Sequence, residues 1–270
     1  MAERSGPEFF ATPSAGSADP MRVALFITCL ADVFYPEAGE AAVRVLRRLG
    51  IEVEFPLAQT CCGQPAFNAG FREQARAVAR RNLAIFADYD YVVAPSGSCT
   101  AMIRVFYPEL FAHDPDLEVQ AASLARRTYE FSEFLVRILK IDNVGAVFPG
   151  KVAYHASCHL LRELGVSQEP RQLIDQVQGA ERVPMDTEEQ CCGFGGTFAV
   201  KYPEISDAML QKKIASLKRA GAHTLVSCDA GCLMHIAGRL HRQGETVRIM
   251  HMAELLNSGT KEGARGASGN

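Results

Sequence analysis

The chain has 270 residues, 48% hydrophobic and 22% charged, with 28 Lys+Arg against 31 Asp+Glu for a formal net charge of −3. That length suggests one or two domains with a substantial core, and that balance excludes a disordered or membrane-embedded class. No basic stretch stands out of the mixed-sign surface, so charge argues against nucleic-acid binding and leaves small molecules or proteins as the expected partners.

Residues 1–20 carry Gly, Pro, Ser and Ala with no apolar run, which predicts a flexible tail rather than a signal peptide or a spanning helix. The expected compartment is then the reducing cytoplasm, where nine cysteines suit metal binding or redox chemistry better than structural disulfides. Arg22 to Thr28 is a strand-like apolar run ending on Cys29, and Pro36 to Leu49 reads as a helix with proline in its first turn and Gly50 as its stop. Ile51 to Phe55 predicts a second strand, leading into Cys61-Cys62-Gly63. Phe71, Ala75, Val78, Leu83 and Phe86 mark the apolar face of a helix, and Tyr91 to Ala94 makes a third strand ending near Cys99. These elements form a first domain over 21–145, and the turn-rich stretch from Asp142 to Gly150 joins it to a second over 146–257.

The second domain repeats the order. A strand over Lys151 to His155 leads to Cys158, a helix near Arg171 to Val177 follows, and a short strand at Arg182 to Pro184 precedes Cys191-Cys192-Gly193. Then come a helix from Pro203 to Ala220 with Gly221 beyond its end, a strand over Thr224 to Ser227, and Cys228 and Cys232. Glu133-Phe134-Leu135 is echoed by Glu254-Leu255-Leu256, and the small, polar residues 258–270 read as a second tail. The expected fold class is α/β: two pseudo-repeated domains, each a small, mostly parallel sheet flanked by helices. Every cysteine group falls at the carboxyl ends of the strands, where ligands gather in such sheets.

Thirty-one residues separate Cys29 from Cys61 and thirty-two separate Cys158 from Cys191, a spacing that unrelated buried thiols have no reason to keep. Thiolates select zinc, copper(I) or iron–sulfur clusters rather than magnesium or calcium. Adjacent cysteines before a glycine present both sulfurs to one object only across a turn, and a multi-metal cluster is such an object. A single zinc takes paired Cys-x₂₋₄-Cys ligands, which the first half lacks. Aligning Cys99 with Cys232 sets Pro95 opposite Cys228, so the second half holds five thiols against four and the better claim to a cluster. Counting leaves open whether there are two clusters, or one with the other half closing over it. Gly193-Phe194-Gly195-Gly196 lets backbone amides approach sulfur, but does not match a dinucleotide fingerprint.

The two Cys-Cys-Gly segments, each with a lone cysteine upstream, resemble the cysteine-rich domains of heterodisulfide reductase, the glycolate oxidase iron–sulfur subunit and the anaerobic glycerol-3-phosphate dehydrogenase membrane-anchor subunit. Closer still, Cys61-Cys62-Gly63-Gln64-Pro65-Ala66-Phe67-Asn68, Tyr154-His155-Ala156-Ser157-Cys158-His159, Arg162-Glu163-Leu164-Gly165 and Cys191-Cys192-Gly193-Phe194-Gly195-Gly196-Thr197-Phe198 are similar to the lactate utilisation protein A family over about Met21 to Leu256. The resemblance implies a cytoplasmic protein with one or two iron–sulfur clusters, of 4Fe-4S type, that carries electrons with partner subunits as L-lactate is oxidised to pyruvate. The broader family ends each half in a cysteine pair. Pro95 departs from that in the first half, and Cys228 and Cys232 have three residues between them where two is commoner.

His155 and His159 flank Cys158 and read first as groups bonded to loop carbonyls or sulfur, with metal ligation or proton coupling as the sharper reading. His235 reads as an ordinary helix residue and Arg162-Glu163 as a solvated pair. No Ser-His-Asp, paired-carboxylate or Walker arrangement occurs, so no general base is assigned. Three functions compete: an electron-transfer subunit, a cluster-dependent thiol–disulfide reductase of the heterodisulfide type, and a non-enzymatic zinc-binding scaffold.

Overall fold

The computed structural model describes residues 21–260. In β1 (Val23–Leu25) and β3 (Tyr91–Ala94), successive side chains alternate between two cores, Val23, Leu25 and Val93 facing one and Ala24, Val92 and Ala94 the other. Strands buried on both faces carry unbroken apolar runs, which is what made them legible. The first half continues through α1 (Cys29–Phe34), α2 (Pro36–Arg48), β2 (Val53–Glu54), α3 (Gln64–Asn68) and α4 (Arg72–Ile85) ahead of β3. After it come α5 (Gly97–Ala101), α6 (Tyr107–Leu110), α7 (Pro115–Arg126), β4 (Thr128–Glu130) and α8 (Phe131–Glu133). The second half runs β5 (Val147–His155), α9 (Gln168–Asp175), β6 (Gln178–Arg182), α10 (Phe198–Lys201), α11 (Pro203–Ala220), β7 (Thr224–Ser227), α12 (Ala230–Arg242), β8 (Arg248–His251) and α13 (Met252–Asn257).

Both sheets are four-stranded and parallel throughout, with the same order, β2-β1-β3-β4 and β6-β5-β7-β8. Val23 pairs with Tyr91 as Val152 pairs with Thr224, and Ala94 pairs with Glu130 as Ser227 pairs with His251, so the α/β repeat holds residue by residue. The inner faces of both sheets share one core, in which Val23, Val45 and Phe134 of the first half join Tyr154, Val226 and Leu255 of the second. Separate cores back the outer faces, against α4 to α7 on one side and α11 and α12 on the other.

Two strands of the second half differ from expectation in their bounds. The strand expected at Arg182 to Pro184 lies over Gln178–Arg182 instead, a polar edge whose pairing comes from the β5 backbone and not from its own side chains. β5 begins at Val147 rather than Lys151, with an irregular register between Val147 and Gly150. The tail expected over 1–20 lies outside the described residues. Of the tail expected over 258–270, Ser258 is tied to the fold, its carbonyl accepting from Val147 N at 3.0 Å. Among the described residues no helix is long and apolar enough to cross a membrane.

Candidate functional site

Each half builds its thiol set from three loops at the carboxyl ends of its strands. Cys29 opens α1 after Thr28, and Cys158 sits at the equivalent place before a π-helical turn over His159–Glu163. The paired cysteines end on a left-handed glycine, Gly63 at φ 86° and Gly193 at φ 89°, a conformation that side chains rarely adopt. This turn brings the glycine amide back onto sulfur: Gly63 N donates to Cys61 Sγ at 3.4 Å and Gly193 N to Cys191 Sγ at 3.3 Å. Cys99 and Cys232 lie in the first turns of α5 and α12, capped by Ser96 and Asp229.

Eight of the nine cysteines line one cavity of about 460 Å³: Cys29, Cys61, Cys62 and Cys99 from the first half, and Cys158, Cys191, Cys192 and Cys232 from the second. All are free thiols. Within each set they are crowded: Cys29 Sγ donates to Cys61 Sγ at 3.7 Å and Cys192 Sγ to Cys232 Sγ at 3.3 Å. Cys61, accepting from Cys29 and Cys62, is pulled well below the ordinary thiol range while those two are pushed up. Cys191 stands in the same relation to Cys158 and Cys192. In each half the first cysteine of the Cys-Cys pair is thus the one whose surroundings favour the thiolate. Another hollow, beside Arg22, Arg47 and Glu52 at the start of β1, holds no cysteine.

Cys228 does not join the others. Two residues beyond Val226, it keeps that residue's side of the sheet and enters the shared core, with Sγ 3.8 Å from Tyr154 Oη and 3.9 Å from Ser132 Oγ. The expectation of five thiols against four is corrected accordingly: the cavity receives four from each half, and Pro95 replaces no cavity-lining thiol.

The layer beneath the sulfurs differs between the halves. Under the second set lie His155 and Lys213, both buried. His155 Nδ1 is 3.3 Å from the Glu188 carbonyl, while Nε2 has no partner among the described residues; burial, and secondarily Lys213, hold its pKa down to about 3, so the ring is neutral. Lys213 Nζ donates to the Thr187 carbonyl without a carboxylate partner among the described residues, and burial lowers its pKa to about 8. His159 Nδ1 is 3.7 Å from Cys158 Sγ, and His235 Nε2 is 3.1 Å from Ser206 Oγ. Under the first set, the position three residues before Cys29 is Phe26, matching His155 before Cys158. The left-handed glycines face Ala75 and Ser206 at matching points of α4 and α11, and seven residues further along stand Asn82 and Lys213. Asn82 Nδ2 donates to the Cys61 carbonyl at 3.1 Å and to Tyr107 Oη at 2.9 Å, and Tyr107 Oη donates to the Cys62 carbonyl at 2.8 Å.

Sequence reasoning missed Lys213 and Asp229. Lys213 occupies the apolar stripe of Leu210, Ile214 and Leu217, and a lysine in that stripe was the available signal. Asp229 caps α12 through Oδ1 to Gly231 N at 3.2 Å, while Oδ2 accepts from Ser98 N of the first half at 2.8 Å. This one carboxylate joins the two helix starts that carry Cys99 and Cys232, a long-range contact with no local signature.

The donor set suits a thiolate-bound cluster. The thiols are soft, unpaired and convergent, backbone amides point at sulfur, and a buried ammonium awaits a negative partner. A double-half protein with four thiols from each half on one cavity defines the cysteine-rich class, and the cysteine-rich domain known as CCG matches residues 23–104 and again 152–237. The chain belongs to the lactate utilization protein A family: it is 50% identical to lactate utilization protein A of Shouchella clausii over 88% of this chain and 99% of that one. Identity to the Geobacillus kaustophilus protein of that name is also 50%, with the same coverage, and to the Bacillus velezensis one 49%, over 88% of this chain and 100% of that one. Among solved structures, a hypothetical protein from Helicobacter pylori shares the fold at TM-score 0.65 and 12% identity, covering 90% of this chain, which spans half the length of that one.

Proposed function

We propose that Cys29, Cys61, Cys62 and Cys99 hold one iron–sulfur cluster and Cys158, Cys191, Cys192 and Cys232 a second, each of 4Fe-4S type. The chain is then a cytoplasmic electron-transfer subunit acting with other lactate-utilisation proteins as L-lactate is oxidised to pyruvate. The observation that carries this reading is eight free thiols, four from each half, on one cavity. Such clusters, when bound, supply one-electron transfer at potentials set by charge, hydrogen bonding and exposure. The chain's part is to hold the sulfurs: left-handed glycines aim amides at Cys61 and Cys191, Phe194 N donates to Cys192 Sγ at 3.5 Å, and Asp229 fixes the two helix starts. The lactate assignment rests on the names of the relatives.

The test is anaerobic purification with iron, acid-labile sulfide and zinc analysis, and electron paramagnetic resonance (EPR) of oxidised and reduced samples. Two occupied sets give about four irons each. Colourless protein carrying zinc and no sulfide would sink the proposal and favour the zinc scaffold.

One feature favours a second reading. Disulfide reduction takes two electrons and two protons, and a cavity with a one-electron set on each wall suits a small disulfide held between them. Turnover of a low-molecular-weight disulfide by the reconstituted chain alone supports that reading; its absence beside active lactate oxidation with partners rejects it.

A further inference from the structure

His155 is a buried potential donor beneath the second thiol set that the four-thiol description leaves without a task. It is fully buried, and a ring nitrogen lies with Cys192 Sγ and Cys232 Sγ in a group whose atoms are all within 4.8 Å of one another. A carbonyl only accepts hydrogen bonds, so the contact of Nδ1 with the Glu188 carbonyl puts the ring proton on Nδ1 and leaves a lone pair on Nε2. Among the described residues Nε2 has no hydrogen-bond partner. A buried acceptor without a partner costs about 1–3 kcal/mol, which a core histidine satisfied by the protein would not incur. Histidines that bind metals show this arrangement, one nitrogen tied to a carbonyl and the other free.

We infer that His155 is a ligand of the second set, binding metal through Nε2 alongside Cys192 and Cys232. Ligation there is mixed nitrogen and sulfur, and in the first set, where Phe26 holds the matching position, it is sulfur alone. The second set then offers five donors, four thiols and one imidazole, where the first offers four thiols. The inference builds on the cluster reading above but is tested apart from it.

The reconstituted full-length chain, labelled with ¹⁵N-histidine, reduced and followed by pulsed EPR, should show strong coupling to one imidazole nitrogen. Coupling should vanish in His155→Phe, which installs the first half's own residue, and in His155→Gln, but survive in His159→Phe. A cluster-containing wild type without nitrogen coupling, or coupling lost only with His159, overturns the inference and leaves the cluster reading intact. A wild type without iron or sulfide overturns the cluster reading instead. Cobalt(II) titration of the metal-free chain with Cys61→Ser and Cys62→Ser then reads the second set alone. At least about tenfold weaker binding on adding His155→Phe supports ligation, and unchanged affinity rejects it.

Discussion

The two halves repeat the geometry of their thiols and differ in what lies beneath them. Both set a lone cysteine, a Cys-Cys-Gly turn and a helix-start cysteine around the cavity, with glycine φ angles of 86° and 89° and amide-to-sulfur distances of 3.4 and 3.3 Å. Beneath the first set the chain supplies Phe26, Asn82 and Tyr107; beneath the second, His155 and Lys213. The two halves agree in the layer of thiols, while the layer beneath differs in charge and polarity. On the proposed electron-transfer reading, such a difference would give movement between the two sets a direction.

The most severe test of equivalence removes one pair of thiols at a time. Cys61→Ser with Cys62→Ser, and Cys191→Ser with Cys192→Ser, should each lower iron and sulfide to about half by abolishing one cluster. Full iron in either double variant would show that its half ligates nothing and would break the comparison at its strongest point.

A second contrast lies at the ends of the fourth strands, where Glu130 and His251 occupy matching registers. Burial raises Glu130 to about 8 and lowers His251 to about 4. The folded chain keeps Glu130 protonated where the unfolded chain does not, so its contribution is full below the ordinary carboxylate range and is lost as pH rises through about 8. That loss is on the order of 5 kcal/mol. His251 does the reverse: the folded chain resists protonation, and stability falls as pH drops from the ordinary imidazole range through about 4. Urea unfolding of the metal-free chain as a function of pH should show both limbs, with Glu130→Gln flattening only the upper one. An upper limb unchanged in Glu130→Gln would assign it to another group.

How much of this was legible follows from where each element's signal resides. The helix Pro203–Ala220, its left-handed Gly221 and the strands Tyr91–Ala94 and Thr224–Ser227 carry local signals and lie where the sequence predicts. β4 and β8 are short, end on Glu130 and His251, and exist because β3 and β7 offer free edges, so nothing in their own residues announced them. The eight thiols were legible from spacing. That Cys228 turns away from them was not, because it depends on which face of β7 meets the shared core.

The glycines that end the Cys-Cys turns give a smaller contrast. Alanine at either must adopt a left-handed φ, which costs about 1–3 kcal/mol. At Gly63 the nearest atom to the added Cβ would be Val78 Cγ1 at 3.4 Å, an ordinary contact, but at Gly193 it would meet the Ser206 carbonyl oxygen at 2.7 Å. Gly193→Ala should therefore be the more destabilising by about 1–3 kcal/mol, the usual cost of overpacking. Equal melting temperatures for Gly63→Ala and Gly193→Ala would mean that the second turn relaxes freely.

The smallest effect bears most directly on what the second layer is for. Methionine at 213 and at 82 puts the same side chain at matched positions. Burial depresses Lys213 to about 8, so at pH 7 the metal-free chain holds a charged ammonium that it would rather release, at a cost of about 3 kcal/mol that is relieved as pH rises through that value. Lys213→Met removes the cost and forfeits about 1 kcal/mol of hydrogen bonding to Thr187, for a net gain of about 1–2 kcal/mol. Asn82→Met gains nothing, strands the Cys61 carbonyl and takes one of two hydrogen bonds from Tyr107 Oη, which keeps its bond to the Cys62 carbonyl, for a loss of about 1–2 kcal/mol. Opposite signs from one substitution at two equivalent positions, read by urea unfolding of metal-free protein at pH 7, would show that the second half carries a charge its own fold does not compensate. Loading with iron and sulfide should then cancel the gain in Lys213→Met, because the anionic cluster supplies the missing counter-charge. A gain that persists in the loaded protein would mean that Lys213 answers to something other than the cluster.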